Sequence, residues 1–325
     1  MTSTSVPSCS HGPANRFTRS DKGGNQREFF ACSAVRDRKE CALFHWVDDW
    51  QKKLNKRPIS DVNVPDDHMV RMKLSRSSAL GESFMANAES KSASQFFFDE
   101  TTLKDVLKII SDINPKRLLC LGAPTVYRSV SCEAVLLDID YRLPDAIKHN
   151  MFTNHFFNKS DEEKIQQMSF DLVICDPPFQ PALLPKLAET IKSLAPHASI
   201  LIAFPYFQRH PLLQAIPALK MTDMRLSYEN HRKYKGDASP VRLFATSIDL
   251  KLQNYKWCDI CQRSVHSANK HCFDCGTCTT LHGLVPYRHC ADCKICVKPK
   301  WRHCKPCKRC KPQQHVCGQA AEESD

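Results

Sequence analysis

The sequence has no apolar run long enough to cross a bilayer. Its longest, residues 198–204 and 117–121, fall far short of the roughly 18 to 20 residues a spanning helix needs. The opening residues Met1, Thr2, Ser3, Thr4 and Ser5 have neither the basic start nor the apolar core of a secretory signal. The expectation is therefore a chain without membrane attachment, in a reducing compartment. There, metal ligation by its 18 cysteines outranks disulfide formation. A composition of 42% hydrophobic and 25% charged residues argues against a disordered or fibrous chain, and 325 residues suffice for two or three domains.

Charge and cysteine divide the chain in the same places. Residues 1–57 hold 11 Lys+Arg against 6 Asp+Glu, residues 58–255 hold 23 against 23, and residues 256–325 hold 12 against 6, giving +5, 0 and +6. The cysteines divide as 3, 3 and 12. A neutral middle is thus flanked by two basic, cysteine-bearing modules, a distribution that suits a polyanionic partner, most simply nucleic acid.

Residues 56–94 are polar and serine-rich, with Pro58 and Pro65 near their start, and read as a linker. Beyond them, Leu103, Val106, Leu107 and Ile110 have helical spacing. Short apolar runs at 117–121, 134–137, 170–175 and 199–204, a helix at 183–194, and late strands at 224–228 and 242–248 continue the alternation. Strands alternating with helices predict an α/β fold with a mostly parallel, doubly wound sheet, whose chemistry belongs at the carboxyl ends of its strands.

The apolar run at 170–175 ends in Asp176, Pro177, Pro178 and Phe179. A base amine has its lone pair delocalised into the ring, so a methyltransferase must hold it with acceptors that favour rehybridisation as the methyl arrives. The Asp176 carboxylate and the Pro177 carbonyl are such acceptors. The prolines fix their convergence, and Phe179 offers a face for a base taken out of its stack. An ordinary strand-ending turn would also accommodate Pro-Pro. Upstream, the strand at 117–121 leads to Gly122, Ala123 and Pro124, and the next strand ends in Asp138, Ile139 and Asp140. A nucleotide-like cofactor meets a close-approaching loop and then a ribose-binding acid at such places. One glycine stands where nucleotide-binding loops often have two or three, and both acids also read as solvated strand ends.

Metal ligands occur at both ends. Cys9, His11, Cys32 and Cys41 supply four zinc-competent ligands, with Arg36, Arg38 and Lys39 between them and Phe44 and Trp46 following. Cys258 and Cys261 open the C-terminal module; His-Cys-x2-Cys-x2-Cys units start at His271, His289 and His303, and His315 and Cys317 close it. Adjacent side chains on extended backbone point to opposite sides, so His271 and Cys272 should serve different metals. The ligands then interlock as Cys258, Cys261, His271 and Cys278; Cys272, Cys275, His289 and Cys296; Cys290, Cys293, His303 and Cys310; Cys304, Cys307, His315 and Cys317. Five zinc ions are expected, the last site departing from the others because two residues rather than seven separate its His from its final Cys.

Taken together, Gly122, Asp138 and Asp176-Pro-Pro-Phe resemble the class I S-adenosylmethionine-dependent methyltransferases of the N6-adenine type. The motifs FFACSAVRDRK from Phe29, LLDIDY from Leu136, NMFTNHFF from Asn150, FPYF from Phe204 and SPVRLF from Ser239 resemble the zinc-finger CCHC-domain-containing enzymes that make N6-methyladenosine in large-subunit ribosomal RNA. That resemblance implies a Rossmann-like methyltransferase domain at 95–255, a GRF-type zinc finger at 1–57, a linker at 58–94 and a DHHC-like zinc array at 256–325. It implies S-adenosylmethionine contacts at Gly122, Ala123, Pro124, Asp138, Asn150, Met151 and Phe152, with Gln95 a weaker candidate, and the target adenine at Asp176, Pro177, Pro178 and Phe179. It further implies a ribosomal RNA partner, no obligate protein partner, and a nuclear, nucleolar and cytoplasmic location.

Two familial elements are not found: the Cys-x2-Cys-x4-His-x4-Cys knuckle, and a finger of two cysteines and two histidines before the methyltransferase domain, since residues 58–95 hold no cysteine and a single histidine, His68. The array also resembles the cysteine-rich region of palmitoyltransferases, where Cys290 would be the acyl acceptor, but Tyr287 and Arg288 replace the activating Asp-His. A non-enzymatic RNA-binding protein on an inactive scaffold remains an alternative, as does methylation of another exocyclic amine.

Overall fold

The computed structural model describes residues 6–20, 24–35, 38–56, 97–246, 248–279 and 286–317. Gln95, Arg36 and the linker expected at 58–94 lie outside the described residues.

The first module is built from small antiparallel pieces. Strands β1 (Ser8–Cys9) and β2 (Gly12–Pro13) pair, and β3 (Asn15–Ser20), β4 (Gln26–Ala31) and β5 (Phe44–Trp46) form a three-stranded sheet. Helix α1 (Val47–Lys56) follows, with Asp48 and Asp49 in its first turn, where the helix dipole favours acids. Among the described residues its buried cluster is small: Ala14, Phe30 and Val47, with Leu43 and Trp50 against them.

Helix α2 (Glu100–Ile113) has the expected apolar stripe and buries Val106, Ile109 and Ile110. Asp99 caps it by accepting from Thr102 N at 2.8 Å, and Asn114 ends it in the left-handed conformation with φ 52°. Then come β6 (Arg117–Leu121), α3 (Pro124–Tyr127), β7 (Glu133–Asp138), β8 (Ile147–Asn150), β9 (His155–Phe156) and α4 (Lys159–Gln166). The succession continues through β10 (Leu172–Cys175), α5 (Leu184–Leu194), β11 (Ser199–Pro205), α6 (Arg209–Ala215), β12 (Lys220–Arg225) and β13 (Val241–Ala245).

These strands lie in the order β12-β13-β11-β10-β6-β7-β8-β9. Strand β10 is parallel to β6 and β11, β7 is parallel to β8, and the late strands β12 and β13 are antiparallel. Leu119, Val173 and Leu201 are wholly buried, as continuous apolar runs require in strands covered on both faces. Strand β9 is antiparallel to β8 as well, so the sheet is mixed: its centre is parallel, as the sequence predicts, and both its ends are antiparallel. The expected strand at 224–228 lies earlier, as Lys220–Arg225. Tyr228 instead forms an isolated bridge to Phe98. Strands β8 and β9 escaped the sequence reading because Ile-Lys-His-Asn and His-Phe carry no apolar alternation.

Four hairpins follow: β14 (Tyr255–Cys258) with β15 (Arg263–His266), β16 (His271–Cys272) with β17 (Thr277–Cys278), β18 (Arg288–Cys290) with β19 (Ile295–Val297), and β20 (Trp301–Cys304) with β21 (Arg309–Pro312). The chain divides into two compact units: Met1–Phe96, Leu137–Met168 and Ala182–Leu194 form one, and Phe97–Leu136, Ser169–Pro181 and Ala195–Asp325 the other. No helix among the described residues is long and apolar enough to cross a membrane.

Candidate active site and metal centres

In the second unit, β10 delivers Asp176 to the carboxyl end of the sheet. The Asp176 N–H donates to Leu121 O at 3.2 Å, so the motif starts beside the end of β6. Gly122 follows Leu121 with φ 68°, a left-handed conformation that an L side chain would strain. Ala123 and Pro124 are buried immediately beyond it. Pro177 is buried, Asp176, Pro178 and Phe179 are half-buried, and the turn tightens where Gln180 N donates to Pro178 O at 2.7 Å.

Tyr228, only 1% exposed, donates its hydroxyl to Asp176 Oδ1 at 2.7 Å. Burial, and then the charge of Asp176, push the phenol pKa well above its ordinary value, so it remains a proton donor at neutral pH. Phe179 packs edge-on against Phe204 at 5.4 Å between centroids and lies 5.8 Å from Tyr234. Tyr234 stacks on His231 at 4.0 Å with 5° between planes. An aromatic wall thus stands next to a carboxylate whose rotation is fixed.

Sequence reasoning missed Tyr228 and Tyr234. The only available signal was the density of ring residues at 228–234. It also missed Arg242, which is 1% exposed and donates from Nη1 to the carbonyls of Ser239 and Val241 at 3.0 and 2.9 Å. Burial, then neighbouring Arg225, lower the Arg242 pKa to about 10, so it stays charged at neutral pH over the Tyr206 ring at 5.4 Å.

In the first unit, the structure separates two acids that the sequence left equivalent. Asp140 holds Arg142 at 2.6 Å, whereas buried Asp138 accepts from the Asp140 N–H at 2.9 Å. Asn150, at the end of β8, accepts from Phe152 N at 3.0 Å and donates to His11 O at 2.8 Å. Asn15 donates to Phe152 O at 3.1 Å. The turn of Asn150, half-buried Met151 and buried Phe152 is therefore bonded to the cysteine-bearing N-terminal module. Gly12, at φ 95°, makes this close approach possible, because a Cβ there would lie 2.7 Å from the His155 ring.

The metal-ligand sets assemble as the spacing predicts. Cys9, His11, Cys32 and Cys41 converge, as do the four C-terminal sets, each with its ligand atoms within 4.8 Å of one another. The hairpins explain the interlock. Each Cys-x2-Cys lies in the turn of one hairpin, and its His and last Cys are a directly opposed cross-strand pair of the next: His271 with Cys278, His289 with Cys296, His303 with Cys310. Opposed residues keep their Cβ atoms about 4.5–5.5 Å apart, near enough to share one ion. The residue after each second cysteine, Gln262, Gly276, Lys294 and Lys308, is left-handed, which closes each turn around its two sulfurs. In the last set no further hairpin supplies a cross-strand pair. There His315 turns Nε2 towards Cys307 and Cys317, with Nδ1 3.1 Å from Pro312 O, whereas the other three histidines present Nδ1. Three thiol sulfurs and one imidazole nitrogen at this separation suit a tetrahedral zinc ion.

Residues 89–256 match the family model described as "Probable N6-adenine methyltransferase". The chain belongs to this N6-adenine methyltransferase family. Its similarity to curated members extends well beyond that segment. The rRNA N(6)-adenosine-methyltransferase ZCCHC4 of Xenopus tropicalis is 30% identical over 367 residues, which cover 82% of this chain and 73% of that protein. The Homo sapiens protein of the same name is 28% identical, over 86% of this chain and 72% of its own length, and the Mus musculus protein 28% identical over 82% and 70%. The N6-adenine methyltransferase segment contains Asp176, Pro177, Pro178 and Phe179, the wall around them, and every strand of the eight-stranded sheet.

Proposed function

We propose that the chain methylates the N6 amine of an adenosine in large-subunit ribosomal RNA, with S-adenosylmethionine as the donor. The observation that carries this reading is the Asp176-Pro177-Pro178-Phe179 run at the carboxyl end of β10, inside the segment that matches the N6-adenine family. The relatives named as ribosomal RNA N6-adenosine methyltransferases support the choice of RNA.

When bound, S-adenosylmethionine supplies an electrophilic methyl group. We assign its contacts to Gly122, Ala123, Pro124, Asp138, Asn150, Met151 and Phe152. The left-handed backbone of Gly122 suits a loop that must approach a ligand closely, and buried Asp138 suits ribose hydroxyls. Asp176 and the Pro177 carbonyl accept hydrogen bonds from the adenine amine, drawing its lone pair out of conjugation towards the methyl. A carboxylate has about four lone-pair sites, so the bond from Tyr228 leaves acceptor capacity for the amine. Phe179 stacks against the extruded base, with Phe204 and Tyr234 supporting its ring.

The five Cys3His sets each hold a zinc ion in this reading. Each such site is net minus one, yet Lys294, Lys298, Lys300, Arg302, Lys305, Lys308, Arg309 and Lys311 keep the end of the array basic, with Lys298 5.7 Å from the Trp301 ring. The N-terminal module carries a comparable surface: Arg27 lies over Trp46 at 4.1 Å and Arg38 over Phe44 at 4.2 Å. Cations interleaved with half-buried rings suit RNA backbone and unstacked bases, so the modules carry most of the RNA affinity. We propose a nuclear, nucleolar and cytoplasmic location to match that substrate.

The test is mass spectrometry of ribosomal RNA nucleosides with and without the protein, and with Asp176→Ala. Loss of the protein should remove N6-methyladenosine from large-subunit RNA. Asp176→Ala should bind S-adenosylmethionine normally while turning over at least about a hundredfold more slowly, on the scale of one lost positioned group. Near-normal methylation by that variant would refute the assignment.

A further inference from the structure

The zero net charge of residues 58–255 conceals a basic loop beside the catalytic motif. Residues 228–236 read Tyr-Glu-Asn-His-Arg-Lys-Tyr-Lys-Gly, and Arg232, Lys233 and Lys235 are all exposed. The loop is tightly built. Tyr228 N donates to Tyr234 O at 3.0 Å, and Gly236 N donates to Ser227 Oγ at 2.6 Å, closing its ends. His231 Nδ1 accepts from Lys233 N and Tyr234 N at 3.0 and 2.8 Å, fixing the backbone that presents the cations. Asn230 Oδ1 accepts from Phe97 N, and Glu229 N donates to Phe97 O, both at 2.9 Å. A segment ordered before its ligand arrives loses little entropy on binding.

The loop faces two ways. Inward, Tyr228 bonds Asp176 and the Tyr234 ring lies 5.8 Å from that of Phe179. Outward, Lys233 and Lys235 flank Tyr234, with Arg232 one residue before. The acid that follows, Asp237, pairs with Arg225 instead. Burial would raise the Asp99 carboxyl, but hydrogen bonds from Ser227 and Thr102 hold it low, and the charge of Lys235 adds the smallest share. A charge run that served only solubility would need neither this scaffold nor contact with the stacking residue of the active site.

We propose that this loop receives the RNA strand next to the target adenosine, Tyr234 extending the stacking face of Phe179 while Arg232 and Lys233 take neighbouring phosphates. The proposal rests on the N6-adenosine reading above. It adds that the catalytic unit positions its own substrate instead of leaving capture wholly to the zinc modules.

The test is fluorescence anisotropy of a labelled twelve-nucleotide oligo(A) RNA with the full chain across a range of salt. Arg232→Ala with Lys233→Ala should weaken binding about tenfold at 0.15 M salt and lower the salt slope by about 1.4, at about 0.7 per phosphate contact. S-adenosylmethionine affinity and melting temperature should stay unchanged. A control pair, Lys159→Ala with Lys164→Ala on α4, should leave binding and slope as they were. Should the loop pair lower the melting temperature, Arg232→Glu alone must still weaken binding more than Arg232→Ala. Wild-type affinity and slope in the loop pair, or an equal loss in the control pair, would overturn the proposal. Binding is read without turnover, so absence of adenosine methylation by the wild type would count against the reaction and unaltered binding against the loop.

Discussion

The centre of the sheet and the cysteine-rich hairpins are held together by opposite means. Strands β6, β10 and β11 bury Leu119, Val173 and Leu201 completely, and the cost of unfolding them is dominated by apolar surface returned to water. Among the described residues the hairpins gather Cys290, Val297 and Cys310 into a small buried cluster, with Cys293 and Trp301 packed against it. They leave Ile260 59%, Phe273 81% and Val316 63% exposed. The difference shows where residue spacing acts: in the sheet it sets which face is buried, and in the hairpins it sets which side chains share a metal ion.

The sharpest way to break the comparison is to remove the metal. The ligand sets predict five zinc ions per chain, and elemental analysis returning two or fewer would end the interlocked arrangement. Chelation should unfold the hairpins and the N-terminal module, because a structural zinc supplies on the order of 10 kcal/mol of apparent folding energy to a small domain. The secondary structure of the sheet should survive. A single cooperative loss of everything on chelation would show that the core does not stand on its own.

The same contrast governs what was legible in the sequence. The hairpin ligands could be grouped correctly, because a His-Cys pair on extended backbone can serve only different ions. The sheet's buried centre was legible as continuous apolar runs. Its edges were not: the strand expected at 224–228 runs Lys220–Arg225, because Thr222, Asp223 and Arg225 interrupt the apolar pattern with polar residues. Those residues are polar because they face other parts of the fold, as Asp223 does the first hairpin. The Asp176-Pro177-Pro178-Phe179 run could be singled out because its four residues are consecutive. Its buried partner Tyr228 lies 52 positions away and reaches Asp176 only through the sheet.

Asp223 is where the two regions of the second unit join, and it offers a smaller test. Its side chain is wholly buried; Oδ1 accepts from Arg263 at 2.7 Å, and Oδ2 accepts from His266 N at 3.0 Å and Asn269 Nδ2 at 2.6 Å. One carboxylate on the edge strand β12 thus fastens the β14–β15 hairpin. Asp223→Ala leaves Arg263 buried without its charge partner and should cost roughly 3–5 kcal/mol, visible as a lower midpoint in urea. Replacing Asp223 and Arg263 together with apolar residues should cost much less. If the single and double variants unfold alike, the junction is held by packing and not by this charge.

The smallest expected effect separates the carboxylate from the residue that holds it. Tyr228→Phe keeps the ring that packs 5.2 Å from Phe98 and removes only the hydroxyl that donates to Asp176. Without that bond the carboxylate can turn away from the adenine amine, so turnover should fall about tenfold, the effect of losing one positioned hydrogen bond of about 1.4 kcal/mol. The KM for S-adenosylmethionine should not change, because the phenol touches the amine's acceptor and not the assigned cofactor contacts. A purely structural role for Tyr228 would lower the melting temperature along with the activity, and turnover equal to that of the wild type would show that Asp176 is held by something else.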